Sequence, residues 1–231
     1  MPTGLLNRPK THMKNSSFRR RGFTLVELLV VIVIVAVLST LAFIGAQRGI
    51  SKAQKTKCLK QMTDLSVSIE MYEVDYRHPP IPESNQDSGR DVLYGVPGGD
   101  NGTEMVFGAL LGHDKDLEPE DPSSDFIAGR DLNYKNNSYI NPGYKEKAAD
   151  GVYRKDGKIY DLWGRELMIA VNTPPFEDED TGGVNDKILD TDGFAEWGDV
   201  KPRYQSYVIW SYGKNGEKED NFLDSDDVKT F

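Results

Sequence analysis

The sequence predicts an α+β protein: one long N-terminal helix, transmembrane in its first half and amphipathic in its second, packed on a small antiparallel β-sheet head. Three features of the 231-residue chain carry that prediction. Leu28 to Gln47 is a run of 20 residues without a charge. Cys58, Met62, Leu65, Ile69, Tyr72 and Tyr76 recur at alternating spacings of four and three, which places them on one helical face. Runs rich in β-branched and aromatic residues gather in the C-terminal third.

The membrane half is read from charge and length. Residues 1–22 hold six basic side chains and no acid, although the whole chain has a net charge of -9. Bases ahead of an apolar run keep that end on the cytoplasmic side. A helix of 20 residues rises about 30 Å, the thickness of the bilayer's hydrocarbon core. A secretory signal peptide would have an apolar core of about 7–15 residues followed by its cleavage site. A plain single-pass anchor accounts for the arginines and the apolar run, but not for Gly22 or Glu27. A carboxylate at membrane depth costs about 2.5–3.5 kcal/mol on insertion scales, so Glu27 asks for a partner.

The amphipathic half follows without a break, because no proline occurs between Pro9 and Pro79. One helix from about Thr24 to Tyr76 would be on the order of 80 Å long, with Gly45 and Gly49 able to let it bend. Pro79-Pro80 ends it, since neither can donate a backbone hydrogen bond and Pro79 restricts His78. From Ile81 to about Asp150 the composition reads as loop, broken by a short apolar helix at Met105 to Leu111. Strands are expected at Lys158–Asp161 and Glu166–Val171, on either side of a turn at Leu162–Arg165, and at Tyr204–Ser211. The expected division is a leader at 1–22, a transmembrane half at 23–47 and an amphipathic half at 48–77. A loop region at 78–157 and a sheet at 158–231 complete it.

The nine residues Arg19-Arg20-Arg21-Gly22-Phe23-Thr24-Leu25-Val26-Glu27 resemble the processing site of type IV prepilins and pseudopilins. Asp161-Leu162-Trp163-Gly164 is similar to the Asp-Pro-Trp-Gly element of type II secretion pseudopilins, with leucine in place of proline and Trp163 expected in the core. The resemblance implies a pilin-like fold and a leader cut between Gly22 and Phe23. The prepilin peptidase that makes the cut would also methylate the new amino terminus at Phe23. Gly22 suits a narrow cleft because it lacks a side chain. Glu27 becomes the fifth residue of the mature chain, where the resemblance pairs it with the terminal ammonium of a neighbouring subunit.

The C-terminal stretch from Val208 to Phe231 resembles the calcium loop of the same family. Carried over by position, Asn215, Asp226 and Asp227 would supply side-chain oxygens, and Tyr212 and Lys229 would supply carbonyls. Calcium takes six to eight oxygens at about 2.3–2.6 Å. Asn215 stands where the family has aspartate, which removes one charge, and the spacer from Glu217 to Ser225 is long.

Other classes are less well served. Beyond residue 22 the chain holds 22 basic against 37 acidic side chains, a balance that repels nucleic acid. Cys58 is the single cysteine and has no partner for an internal disulfide. His12, His78 and His113 are scattered, and no nucleophile is paired with a base, so no catalysis is expected. The acids from Glu177 to Asp192 lack the alternation of a calcium-binding loop and read as solvated. The expectation is a pseudopilin of a type II secretion system, anchored in a bacterial inner membrane with its head in the periplasm. Its partners would be the prepilin peptidase, copies of itself, minor pseudopilins and the inner-membrane assembly platform. The alternatives are a type IV pilus subunit and a monomeric anchored binding protein.

Overall fold

The computed structural model describes residues 22–82, 92–97, 101–172, 206–217 and 225–230. Helix α1 runs Leu25–Tyr76, 52 residues. Arg77 stops it by turning to a positive φ of 68°, and His78-Pro79-Pro80 then prevents resumption. The chain divides into two units within this helix, one up to Arg48 and one from Gly49 onward.

In the first unit the described side chains are all exposed, including Leu29, Val33, Leu38 and Phe43. Among the described residues nothing covers this apolar surface, and its exposure to water would be strongly unfavourable. Among the described residues α1 is the one helix long and apolar enough to cross a membrane.

In the second unit, the predicted face of α1 is the face that is buried. Cys58, Met62, Ile69 and Tyr72 have no exposed surface, and Leu65 and Tyr76 have little. They pack on strands β1 (Val92–Tyr94), β4 (Met168–Val171), β5 (Tyr207–Ser211) and β6 (Val228–Lys229) and on helices α2 (Thr103–Leu111) and α3 (Ser124–Leu132). A separate two-stranded sheet joins β2 (Gly151–Val152) to β3 (Ile159–Tyr160).

The main sheet is antiparallel with strand order β1-β4-β5-β6. Its register sets Ile169 opposite Ile209 and Met168 opposite Trp210. Because side chains alternate between faces, Ile169, Val171 and Ile209 join the core under α1, while Met168, Ala170, Val208 and Trp210 form a second cluster.

Helices α2 and α3 meet through bare backbone. A Cβ on Gly108 would lie 2.3 Å from the Phe126 carbonyl oxygen, and one on Gly129 would lie 1.9 Å from that of Met105. Ser123 starts α3 by accepting a hydrogen bond from the Phe126 amide at 3.1 Å.

One expectation changes. The stretch from Ile81 to Asp150, read as loop apart from the helix at Met105 to Leu111, has that helix as α2 and also holds β1 and α3. The expected strands on either side of Leu162–Arg165 form and pair with different partners. β3 pairs with β2, β4 pairs with β1 and β5, and a single bridge from Tyr160 to Glu166 spans the turn. Asp161 is fully buried and binds the turn from within. One of its oxygens accepts from the amides of Trp163 at 2.8 Å and Arg165 at 2.9 Å, and the other accepts from the Ser211 hydroxyl at 2.6 Å.

Candidate functional site

At the N-terminal end, Gly22, Phe23, Thr24 and Glu27 lie at the entrance to α1. A Cβ on Gly22 would meet nothing within 4 Å. Packing among the described residues therefore gives no reason for glycine there. Phe23 is also exposed. Glu27 folds back on the first turn: its carboxylate accepts from the Thr24 amide and the Thr24 hydroxyl, both at 2.9 Å, and the Thr24 hydroxyl accepts from the Glu27 amide at 3.2 Å. This is a capping box, spelled Thr-x-x-Glu in the sequence and overlapping the residues that resemble a processing site. An acid near a helix N-terminus is also favoured by the helix dipole.

At the C-terminal end, the turn after β5 meets the segment that leads into β6. A Cβ on Gly213 would lie 2.1 Å from the Asp226 carbonyl oxygen, so the two backbones touch only because position 213 is glycine. The Asn215 amide donates to the Asp226 carboxylate at 2.9 Å, and the Asn215 side-chain oxygen accepts from the Glu217 amide at 2.9 Å. Asp227 is buried, with its amide donating to the Ser225 hydroxyl at 3.1 Å. Lys229 lies in β6 opposite Trp210, and Tyr212 directly follows β5.

The fold thus brings Asn215 against Asp226, with Tyr212 in the same turn as Asn215 and Asp227 and Lys229 in the same segment as Asp226. Two carboxylates, a carboxamide and backbone carbonyls make an all-oxygen donor set, which fits a hard cation such as calcium. Among the described residues no three His, Cys, Asp or Glu side chains gather into a metal-type cluster, so carbonyls would have to supply much of such a shell. The sequence missed Arg165. Its guanidinium donates to the carbonyl oxygens of Gly213 at 2.8 Å and Lys214 at 3.1 Å, and a Cβ on Gly216 would collide with it at 2.0 Å. A fixed cation therefore already holds one side of this turn.

A third cluster, Glu104, Lys158 and Glu166, was also not foreseen. Glu166 accepts from the Thr103 amide at 2.6 Å and hydroxyl at 2.9 Å, capping α2 from a distant part of the chain. Lys158 sits 3.0 Å from Glu166 and 3.7 Å from Glu104. Burial pushes the Glu104 carboxyl above its ordinary range. Burial also works against the Lys158 ammonium, but the hydrogen bond to Glu166 and the surrounding carboxylates outweigh it and hold that group above its usual value. The arrangement ties α2 to the sheet. The expected acidic loop at Glu177 to Asp192, Asp224 and the leader lie outside the described residues.

Comparison with known proteins bears on the N-terminal end. Residues 17–43 match the prokaryotic N-terminal methylation motif, a span that contains Gly22, Phe23 and Glu27. The chain is 37% identical over 79 residues to the type II secretion system core protein G of Escherichia coli K12, covering 34% of this chain and 52% of that protein. It is 37% identical over 68 residues to the protein of that name from Pectobacterium carotovorum, covering 29% and 44%. It is 25% identical over 93 residues to fimbrial protein Q of Moraxella bovis, covering 40% and 59%. The chain thus spans about half the length of the curated relatives it matches. No solved structure matches.

Proposed function

We propose that this chain is a structural pseudopilin, cut between Gly22 and Phe23 by a prepilin peptidase, methylated at Phe23 and assembled through α1 into the periplasmic pseudopilus of a type II secretion system. The observation that carries the reading is Glu27, a carboxylate at the start of a helix whose first, apolar half is exposed, and inside the matched methylation motif. A charge in lipid is stabilised by an opposite charge, and cleavage creates one, the new ammonium at Phe23 of another copy. The same cut removes six bases and no acid. Head and apolar run then fit a single-pass topology with the N-terminus cytoplasmic before processing. Partners on this reading are further copies, minor pseudopilins and the inner-membrane assembly platform, and the chain performs no catalysis.

Calcium on this reading is held by the side chains of Asn215, Asp226 and Asp227 with the carbonyls of Tyr212 and Lys229. It would supply charge to offset the adjacent carboxylates, while Arg165 holds the neighbouring carbonyls.

The similarity to a fimbrial protein favours a second reading, a type IV pilus subunit. Deleting the gene separates the two. Loss of exported protein with surface fibres unchanged is expected for the pseudopilin. Loss of surface fibres with export intact would replace that reading with the pilus one.

A further inference from the structure

A cleft of about 520 Å³ opens between α1, the segment from Tyr139 to Lys145 and the small sheet of β2 and β3. Its floor is apolar: Leu65 of α1, Val152 of β2 and Ile159 of β3 line it and are buried. Its rim is basic. Lys57 and Lys145 share Asp150, and Lys60 pairs with Asp64 at 2.5 Å. Three ammonium groups thus stand against two carboxylates, in a chain that beyond residue 22 holds 22 bases and 37 acids. An ammonium has three donors, and all three lysine side chains are exposed, so each can take a further acceptor. The third side of the cleft is open backbone. The Tyr139 amide donates to the Leu110 carbonyl at 2.8 Å and the Lys145 amide to the Val152 carbonyl at 2.9 Å, which ties down both ends of the segment. Between them, residues 140–144 belong to no helix or strand. Ile140, Asn141 and Gly143 line the cleft, and their amides have no acceptor among the described residues.

We propose that this cleft binds an extended peptide segment of another protein, one in which apolar side chains alternate with carboxylates. Added strands are held by main-chain hydrogen bonds and place alternate side chains in the pockets beside them. Here the open amides at residues 140–143 supply the first, the floor of Leu65, Val152 and Ile159 takes the apolar side chains, and the lysine rim selects the acids. A second copy of the chain offers no such segment among its described residues. From Gly49 onward its exposed large apolar side chains all lie in helices except Tyr134, whose next residue is Lys135. The site lies outside the assembly reading and does not depend on it.

The test uses the full-length protein in detergent micelles and the fluorescein-labelled peptide Asp-Val-Glu-Ile-Asp-Val-Glu. Saturable binding is expected, with slowed hydrogen exchange of the amides at residues 140–143. Changing the exposed rim by Lys60→Glu together with Lys145→Glu should weaken binding roughly ten-fold. A peptide with lysine in place of every acid, or with methylated backbone nitrogens, should bind as weakly or worse. No saturation at millimolar peptide, equal affinity for the double variant or for the lysine peptide, or unchanged exchange at residues 140–143 on binding would each overturn the proposal. Exchange there that slows with protein concentration alone would give the cleft to a second copy and overturn it too. Leader processing and the export phenotype are measured separately, so the pseudopilin reading stands or falls on its own.

Discussion

Glu27 meets two demands. In the single chain its carboxylate closes a capping box with Thr24, which satisfies backbone donors that the helix leaves open. In an assembly its charge would face a neighbour's ammonium. Glutamine separates these roles, because it serves in a capping box but carries no charge. Glu27→Gln is therefore expected to keep the helix start and membrane insertion, measured by membrane fractionation and circular dichroism, yet to assemble poorly. Filaments at wild-type yield from this variant would leave the cap as the whole role of the residue. At the other end, Arg165 and the Asp226 carboxylate both hold the turn at residues 212–216. Millimolar calcium should protect the C-terminal segment from protease, and Asp226→Asn should weaken that protection. Equal cleavage with calcium and with chelator would remove the cation from the account.

At the scale of elements, the contact between α2 and α3 is the most sensitive. Gly129→Ala would place a methyl group 1.9 Å from a backbone oxygen that cannot move without shifting α2. Overpacking of this kind costs typically 1–3 kcal/mol, and a fall in urea midpoint of the detergent-solubilised chain would measure it. An unchanged midpoint would mean that the helices are not in backbone contact. The elements were unevenly legible in the sequence. The buried face of α1 could be read because Cys58 through Tyr76 repeat at helical spacing, and β5 because Tyr207 to Ser211 is β-branched and aromatic. Helix α3 could not, because its signals are Ser123 as a cap and Gly129 as a contact, which resemble loop composition. Asp161 reaches Ser211 across 50 residues, and Arg165 reaches carbonyls 48 and 49 residues away. No local pattern announces such long-range polar ties. At the candidate sites the sequence supplied the acceptors, Asn215 and Asp226, and missed the arginine that binds the same turn.

For the whole molecule, the division of charge is the organising fact. The charges ahead of Phe23 are all basic and the remainder is strongly acidic, with the exposed apolar run Leu28 to Gln47 starting just after the junction. Keeping residues 1–22 would retain six bases beside the apolar run and bury Phe23 inside a peptide bond, where it offers no ammonium to Glu27. Removing them leaves a charged terminus four residues from Glu27. Every assembly step proposed here requires that terminus. Intact mass spectrometry of the protein purified from cells that carry a prepilin peptidase reads it directly. A species beginning at Phe23 and heavier by one methyl group is expected; a species that still retains Gly22 and the arginines before it would contradict the account.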